Sequence, residues 1–279
     1  AVYIERLRGT SFARELDVRK KDIVWLFRYA PTGAEAMGGT PYWIFRVMPK
    51  LFPELFDGKP DYSKFGLEHP DDNTYYESYH ELPRGLVLSD TTLHLGGNDV
   101  TFKLKRVSFN CATCHRGEYV DKSGQRVLVD GMPNSNIDTA GFKKSMFTAM
   151  RSDAFNEARV LEAIDELIAQ ERNKPGAKPG PTRLTAQERF LYKLVIAESK
   201  RFAKAKPLAW MDTRPANGLG RLDAFGALRF EFMGRDPKLD DTLATVDLPS
   251  IWNQGRNMRP FHHYDGNTAH TRARNFGAT

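Results

Sequence analysis

The chain has 279 residues, 27% of them charged and 41% hydrophobic, with a formal net charge of +6 at pH 7. These are globular values that exclude a disordered or fibrous protein and suit one large domain or two modest ones. No apolar run approaches the ~20 residues that cross a bilayer, so no membrane span is expected. The basic residues are spread along the chain without a recognition motif, which argues against a nucleic-acid partner and leaves a solvated surface as the expected reading of the charge, with long-range steering of an acidic redox partner or an anionic surface as the alternative.

In chain order, residues 11–30 carry Leu16, Ile23, Val24 and Leu26 among many charges behind a candidate cap at Ser11, the pattern of an amphipathic helix. Residues 31–83 interleave aromatics (Tyr42, Trp43, Phe45, Phe52, Phe56) with Pro41, Pro49, Pro53 and Pro60, which predicts short helices and irregular loops. Within them the polar, Tyr-rich stretch 61–80 reads as an exposed excursion. Short apolar runs at 86–88 and 100–104, separated by Gly96 and Gly97, predict a small hairpin, and 118–129 predicts a second one turning at Lys122-Ser123-Gly124. From 141 to 173, Phe142, Met146, Met150, Phe155, Val160, Leu161, Ile164, Leu167 and Ile168 recur at helical spacing, with the methionines read as core packing. Thr185-Ala186-Gln187-Glu188 is a capping box opening a helix to about 205, after a Pro/Gly/Lys-rich connection at 173–181. From 207 onward the chain is loop-like, and no internal repeat is present.

Between the two hairpins lies Cys111-Ala112-Thr113-Cys114-His115, which contains both cysteines of the chain. Two thiols three residues apart with an imidazole directly after is the attachment pattern of c-type heme: each thiol takes one vinyl group and the histidine becomes the proximal iron ligand. A structural zinc site needs further ligands at short spacing, and no His or Cys follows His115 until His262. A thioredoxin-like couple needs a βαβ setting, which is not visible upstream. The adjacent pair His262 and His263 is a poor basis for a non-heme metal site, because neighbouring residues seldom ligate one ion. The expected cofactor is therefore one covalently attached heme c, held by Cys111 and Cys114 and ligated by His115. For the other face of the iron, Met132 in the loop at 130–134 and His94 are candidates, each against a packing or surface role. Heme attachment through thioethers implies an exported protein, periplasmic or secreted, whose signal peptide has been removed.

Three later segments, Gly220-Arg221-Leu222-Asp223-Ala224-Phe225, 247–254 (Asp-Leu-Pro-Ser-Ile-Trp-Asn-Gln) and 262–267 (His-His-Tyr-Asp-Gly-Asn), together with the heme motif resemble the diheme cytochrome c peroxidase-like superfamily, in particular its rubber oxygenase-type branch. The resemblance runs from about residue 82 to the C-terminus. It implies a mainly α, cytochrome c-like heme domain with long loops and a few short β-hairpins at 83–279, preceded by an N-terminal helical and loop extension at 1–82. Such proteins carry a second motif that this chain lacks, so the resemblance implies either a second heme domain beyond 279 or the loss of the second heme. The function implied is a peroxidase-like or oxygen-reactive heme oxidoreductase working with a redox partner protein; the alternative is a monoheme electron-transfer subunit of a larger assembly. In the superfamily a Trp relays electrons between hemes, which points to Trp210 with Trp252 as competitor, each against a buried-aromatic role. Arg221 is the candidate for a heme propionate, against an ordinary surface ion pair.

Overall fold

The computed structural model describes residues 27–31, 39–68, 82–94, 101–205 apart from 178, and 209–250 apart from 213, 215, 224–225, 227–228, 231–232, 240–244 and 249. The predicted helix at 11–30, Trp252, and the segment with His262 and His263 lie largely or wholly outside these residues.

Aromatic side chains organise the core. Helix α1 (Tyr42–Leu51) follows the short strand β1 (Thr40–Pro41) and buries Ile44, Phe45, Val47 and Met48. Phe45 stacks on Tyr62 with ring centroids 4.1 Å apart, and Phe56 stands edge-on to both Tyr62 and Phe65. Such offset and edge-to-face pairs add to the stabilisation that burial of the rings already supplies. Phe65 then meets Phe142, and Phe142 meets Phe109 at 5.3 Å. A continuous run of rings thus leads from α1 to the residue two positions before Cys111. Tyr62, Phe65 and Leu67 are all buried, so the first part of the stretch expected to be an exposed excursion is instead core; its alternation of polar and large apolar residues hides the latter inside.

Two nine-residue strands, β2 (Leu86–His94) and β3 (Thr101–Phe109), pair antiparallel along their whole length, and β1 adds to the other side of β3. The order is β1-β3-β2. Leu86, Leu104 and Val107 from this sheet enter the core. After helix α2 (Cys111–His115), strands β4 (Arg116–Val120) and β5 (Arg126–Asp130) form the second hairpin, whose turn is tied by Asp121 accepting from the Ser123 and Gln125 amides. Strands β6 (Arg221–Asp223) and β7 (Thr245–Asp247) make a third small sheet.

Helices α3 (Thr139–Arg151), α4 (Glu157–Arg172) and α5 (Ala186–Lys204) cover the core, with α1 packed on α4 and α5 packed on both α3 and α4. The 141–173 periodicity resolves into two helices, not one. Ser152 ends α3 in an extended conformation and its hydroxyl accepts from the Ala154 amide, while Asn156 caps α4 by accepting from Arg159. These short polar side chains offer the backbone partners outside the helix, and Phe155 fills the gap between the helices, fully buried. The capping box at Thr185 and Glu188 is present as expected.

The expectation of a mainly α, cytochrome c-like domain is overturned: the fold is mixed α/β, with three small antiparallel sheets alongside the helices. The physical reason lies in 86–109, where two matched nine-residue segments carry Val87, Thr91, Thr92, Thr101, Phe102, Val107 and Phe109, β-branched and aromatic residues that favour strands, and pair far beyond the small hairpin expected. Among the described residues, no helix is long and apolar enough to cross a membrane.

Candidate functional site

Helix α2 consists of the five residues of the Cys-x-x-Cys-His motif, and such a short helix does not stand by itself. Both of its ends are tied. At the N-terminus, the Asn110 side chain accepts from the Ala112 amide at 3.0 Å and donates to the Phe27 and Arg28 carbonyls at 3.2 and 2.9 Å. At the C-terminus, the carbonyls of Thr113, Cys114 and His115 receive the Asn134 side chain (2.8 Å), the Asn134 amide (2.9 Å) and the Gly131 amide (2.6 Å). The loop after β5 therefore satisfies the carbonyls that a helix end leaves without intrahelical partners. Asn110→Ala is expected to lower stability by roughly 1–2 kcal/mol, from the lost cap and the two lost carbonyl contacts, as read by urea unfolding; an unchanged midpoint would remove Asn110 from this role.

The back of α2 rests on Gly85. Thr113 donates its hydroxyl to the Gly85 carbonyl, and that carbonyl also accepts from the Asn110 amide at 2.9 Å. Ala112 and Thr113 are both buried, Thr113 directly against Gly85. Positions 111, 114 and 115 share the other face, being related by three and four residues. Cys111 and Cys114 are half-buried and are not in a disulfide, and His115 is buried at 5% exposure. Burial pushes the Cys114 thiol up to about 11, reinforced by Cys111 and opposed by Lys143. The residue following the motif, Arg116, has a side chain 4% exposed and pairs with Asp130, which also holds Arg28 at 2.8 Å.

Beside the motif is a largely apolar cavity of about 340 Å³ between β1, β3, α3 and α5. Its wall nearest the motif is Ser108 and Phe109 at the end of β3, with Phe142 and Lys143 from α3. Further along, Met146 and Met150 line it, and Phe202, 55% exposed, stands at its rim. Cys111, Cys114 and His115 adjoin this cavity through Phe109 and are not themselves in its wall.

The other sequence candidates are placed elsewhere. Met132 sits in the loop that covers the C-terminal carbonyls of α2; its own carbonyl accepts from Gly117, and it does not line the cavity. His94 ends β2, opposite Thr101. Trp210 lies in a short 3-10 turn packed on α3, its ring 5.4 Å from Phe230 and close against Gly226. Phe230 also carries the Arg214 and Arg229 guanidinium groups at 5.0 and 5.1 Å, and both arginines face the buried carboxylate of Asp223. Trp210 is thus a core aromatic beside an ion cluster. Arg221 pairs with Asp247 across the β6–β7 register at 2.8 Å, with both side chains more than half exposed, which is the surface ion-pair alternative. Met146 and Met150 are what sequence reasoning missed as cavity residues: their helical spacing marked a buried face, and only the fold shows that this face borders a hollow next to the motif.

Among the described residues, no group of three or more His, Cys, Asp or Glu side chains is gathered to hold a metal ion. A porphyrin brings four nitrogens of its own and needs one or two protein donors, so the motif's donor set suits it: two thiols outside any disulfide for the vinyl groups and a buried imidazole on the same helix face.

A family described as the Y4iN-like domain matches residues 24–115, about a third of the chain and inclusive of the whole motif. No curated protein matches the chain, and no solved structure does. No cytochrome c family is found, and this, with the mixed α/β fold, overturns the assignment to the diheme cytochrome c peroxidase-like superfamily. The roles that depended on it, electron relay at Trp210 and propionate binding at Arg221, lose their source.

Proposed function

We propose that the chain is a heme c redox protein in which Cys111 and Cys114 form the thioether bonds, His115 ligates the iron, and the elementary act is transfer of electrons to and from a redox partner protein. The observation that carries this reading is the placement of the two thiols and the imidazole on one face of a five-residue helix whose opposite face and both ends are fixed by Gly85, Asn110 and Asn134. Fixing the helix holds His115 in one orientation, as a metal-ligating histidine requires. The bound heme supplies a one-electron iron couple; the chain supplies the attachment, the proximal ligand and an apolar flank that keeps water from part of the ring. The competing use of the pair, thiol–disulfide exchange, is not favoured by the setting, because the sheets of the described residues are antiparallel and α2 follows an antiparallel strand. Thioether attachment also places the protein outside the cytoplasm, and the net charge of +6 suits an acidic partner.

The test is the visible spectrum of the full chain produced in a host that matures c-type cytochromes. A red protein that reduces and reoxidises reversibly, and whose porphyrin stays with the chain on a denaturing gel, is expected. A colourless protein, or porphyrin that migrates away from the polypeptide, overturns the reading.

A further inference from the structure

We infer that the cavity between β1, β3, α3 and α5 binds a small amphipathic carboxylate, a straight-chain fatty acid of medium length, with its head at Lys143 and its tail toward Phe202. The inference goes beyond the heme reading and does not rest on it, because Cys111, Cys114 and His115 are not in this wall. The hollow measures about 340 Å³, inside the range of small-molecule sites, which starts at about 300 Å³. Its sides are mostly apolar, with Ile44, Phe142 and Met146 buried in them. At the far end Phe147 and Phe202 meet with ring centroids 5.9 Å apart. The one charged group in the wall among the described residues is the Lys143 ammonium; it has no ion-pair partner among them, and no Asp or Glu lines the cavity.

Polar groups meet at the end opposite Phe202. Lys143 follows Phe142 and Ser108 precedes Phe109, and those two rings are 5.3 Å apart, so the charge and the hydroxyl flank the same end of the hollow. The Ser108 hydroxyl is buried and has no hydrogen-bond partner, and a ligand oxygen that accepts from it relieves the cost of a buried unpaired donor. A carboxylate has two acceptor oxygens, one for each group. Lys143 is exposed, so the charged head stays in contact with water while the chain enters the apolar part. From Lys143 to Met150 the wall follows α3 for about 10 Å, the span of about eight extended methylenes, as in decanoate. A cationic head is repelled by Lys143, and an alcohol leaves the ammonium unpaired.

The experiment is calorimetric titration of the full chain with decanoate, decanol and decyltrimethylammonium, each below the concentration at which it aggregates. Decanoate is expected to bind one per chain, about fivefold more tightly than decanol, the gain that one partly exposed ion pair supplies, and decyltrimethylammonium more weakly than either. Lys143→Gln, a change at an exposed side chain, is expected to bring decanoate to the level of decanol and leave decanol unchanged. Met150→Trp, which fills the far end, is expected to abolish binding of both. Absence of saturable decanoate binding, equal binding of decanoate and decanol by the parent, tighter binding of the cation, or a decanoate affinity unchanged by Lys143→Gln overturns the inference. So does binding that survives Met150→Trp in a protein whose circular dichroism is that of the parent. Should Met150→Trp fail to fold, Ser108→Ala takes its place: weaker decanoate binding supports the site, and an unchanged affinity refutes it. Covalent heme is reported separately by intact mass, so the failure of either reading is seen independently of the other.

Discussion

Gly85→Ala is expected to lower the stability of the chain by roughly 3 kcal/mol or more and to dislodge the motif helix, whereas Gly58→Ala costs only about 1–2 kcal/mol. Both glycines have a φ of +71° to +77°, a region that side chains disfavour, so both substitutions carry the same backbone cost. They differ in surroundings. A Cβ at Gly58 meets nothing within 4 Å, while one at Gly85 stands 2.3 Å from the Thr113 amide nitrogen and 2.4 Å from its Cα. Those atoms are backbone and cannot swing away. Either α2 moves off the β2 end, breaking the Thr113 and Asn110 contacts to the Gly85 carbonyl, or the strand bends and Leu86 leaves the core. Parallel urea unfolding of the two variants measures the difference. Equal midpoints would mean that α2 does not rest on Gly85.

The second large effect concerns the cofactor. Replacing Cys111 and Cys114 together by serine is expected to abolish covalent heme completely, and His115→Met to leave the heme attached but change its spectrum, because attachment and ligation are separate acts of separate side chains. Each cysteine alone is expected to leave a single thioether and a markedly lower yield. The readout is heme-specific staining of a denaturing gel against total protein. Full staining of the double variant would place the attachment outside the motif. Cys114 packs against the core cluster, so Cys114→Ser also introduces a hydroxyl into an apolar site. Cys114→Ala is therefore the cleaner single variant.

The motif, the capping box at Thr185 and the hairpin at 116–130 were legible in the sequence because each depends on residues within about fifteen positions of one another. Short-range chemistry fixes them: a side-chain cap, a turn closed by Asp121, a spacing of thiols and imidazole. What was not legible depends on partners far away in the chain. Tyr62 reads as surface until Phe45 and Phe56 enclose it, and the extent of the β2–β3 pairing reads as a small hairpin until the register is known. The break between α3 and α4 was hidden because apolar spacing continues through it, while the decisive signals were the polar side chains of Ser152 and Asn156. The candidate site shows the same division. Cys111, Cys114 and His115 are local, whereas the cavity near them is lined by strands and helices far apart in the chain, and Met132, nearer in sequence, sits in the loop that covers the end of α2.

The measurement that bears most directly on the central claim is the intact mass of the denatured full chain after expression in a host with c-type maturation. The expected result is the mass of the polypeptide plus one heme, reduced to that of the bare polypeptide in the Cys111→Ser, Cys114→Ser double variant. A parent chain whose mass is that of the polypeptide alone, or of the polypeptide less two hydrogens for a Cys111–Cys114 disulfide, would contradict it.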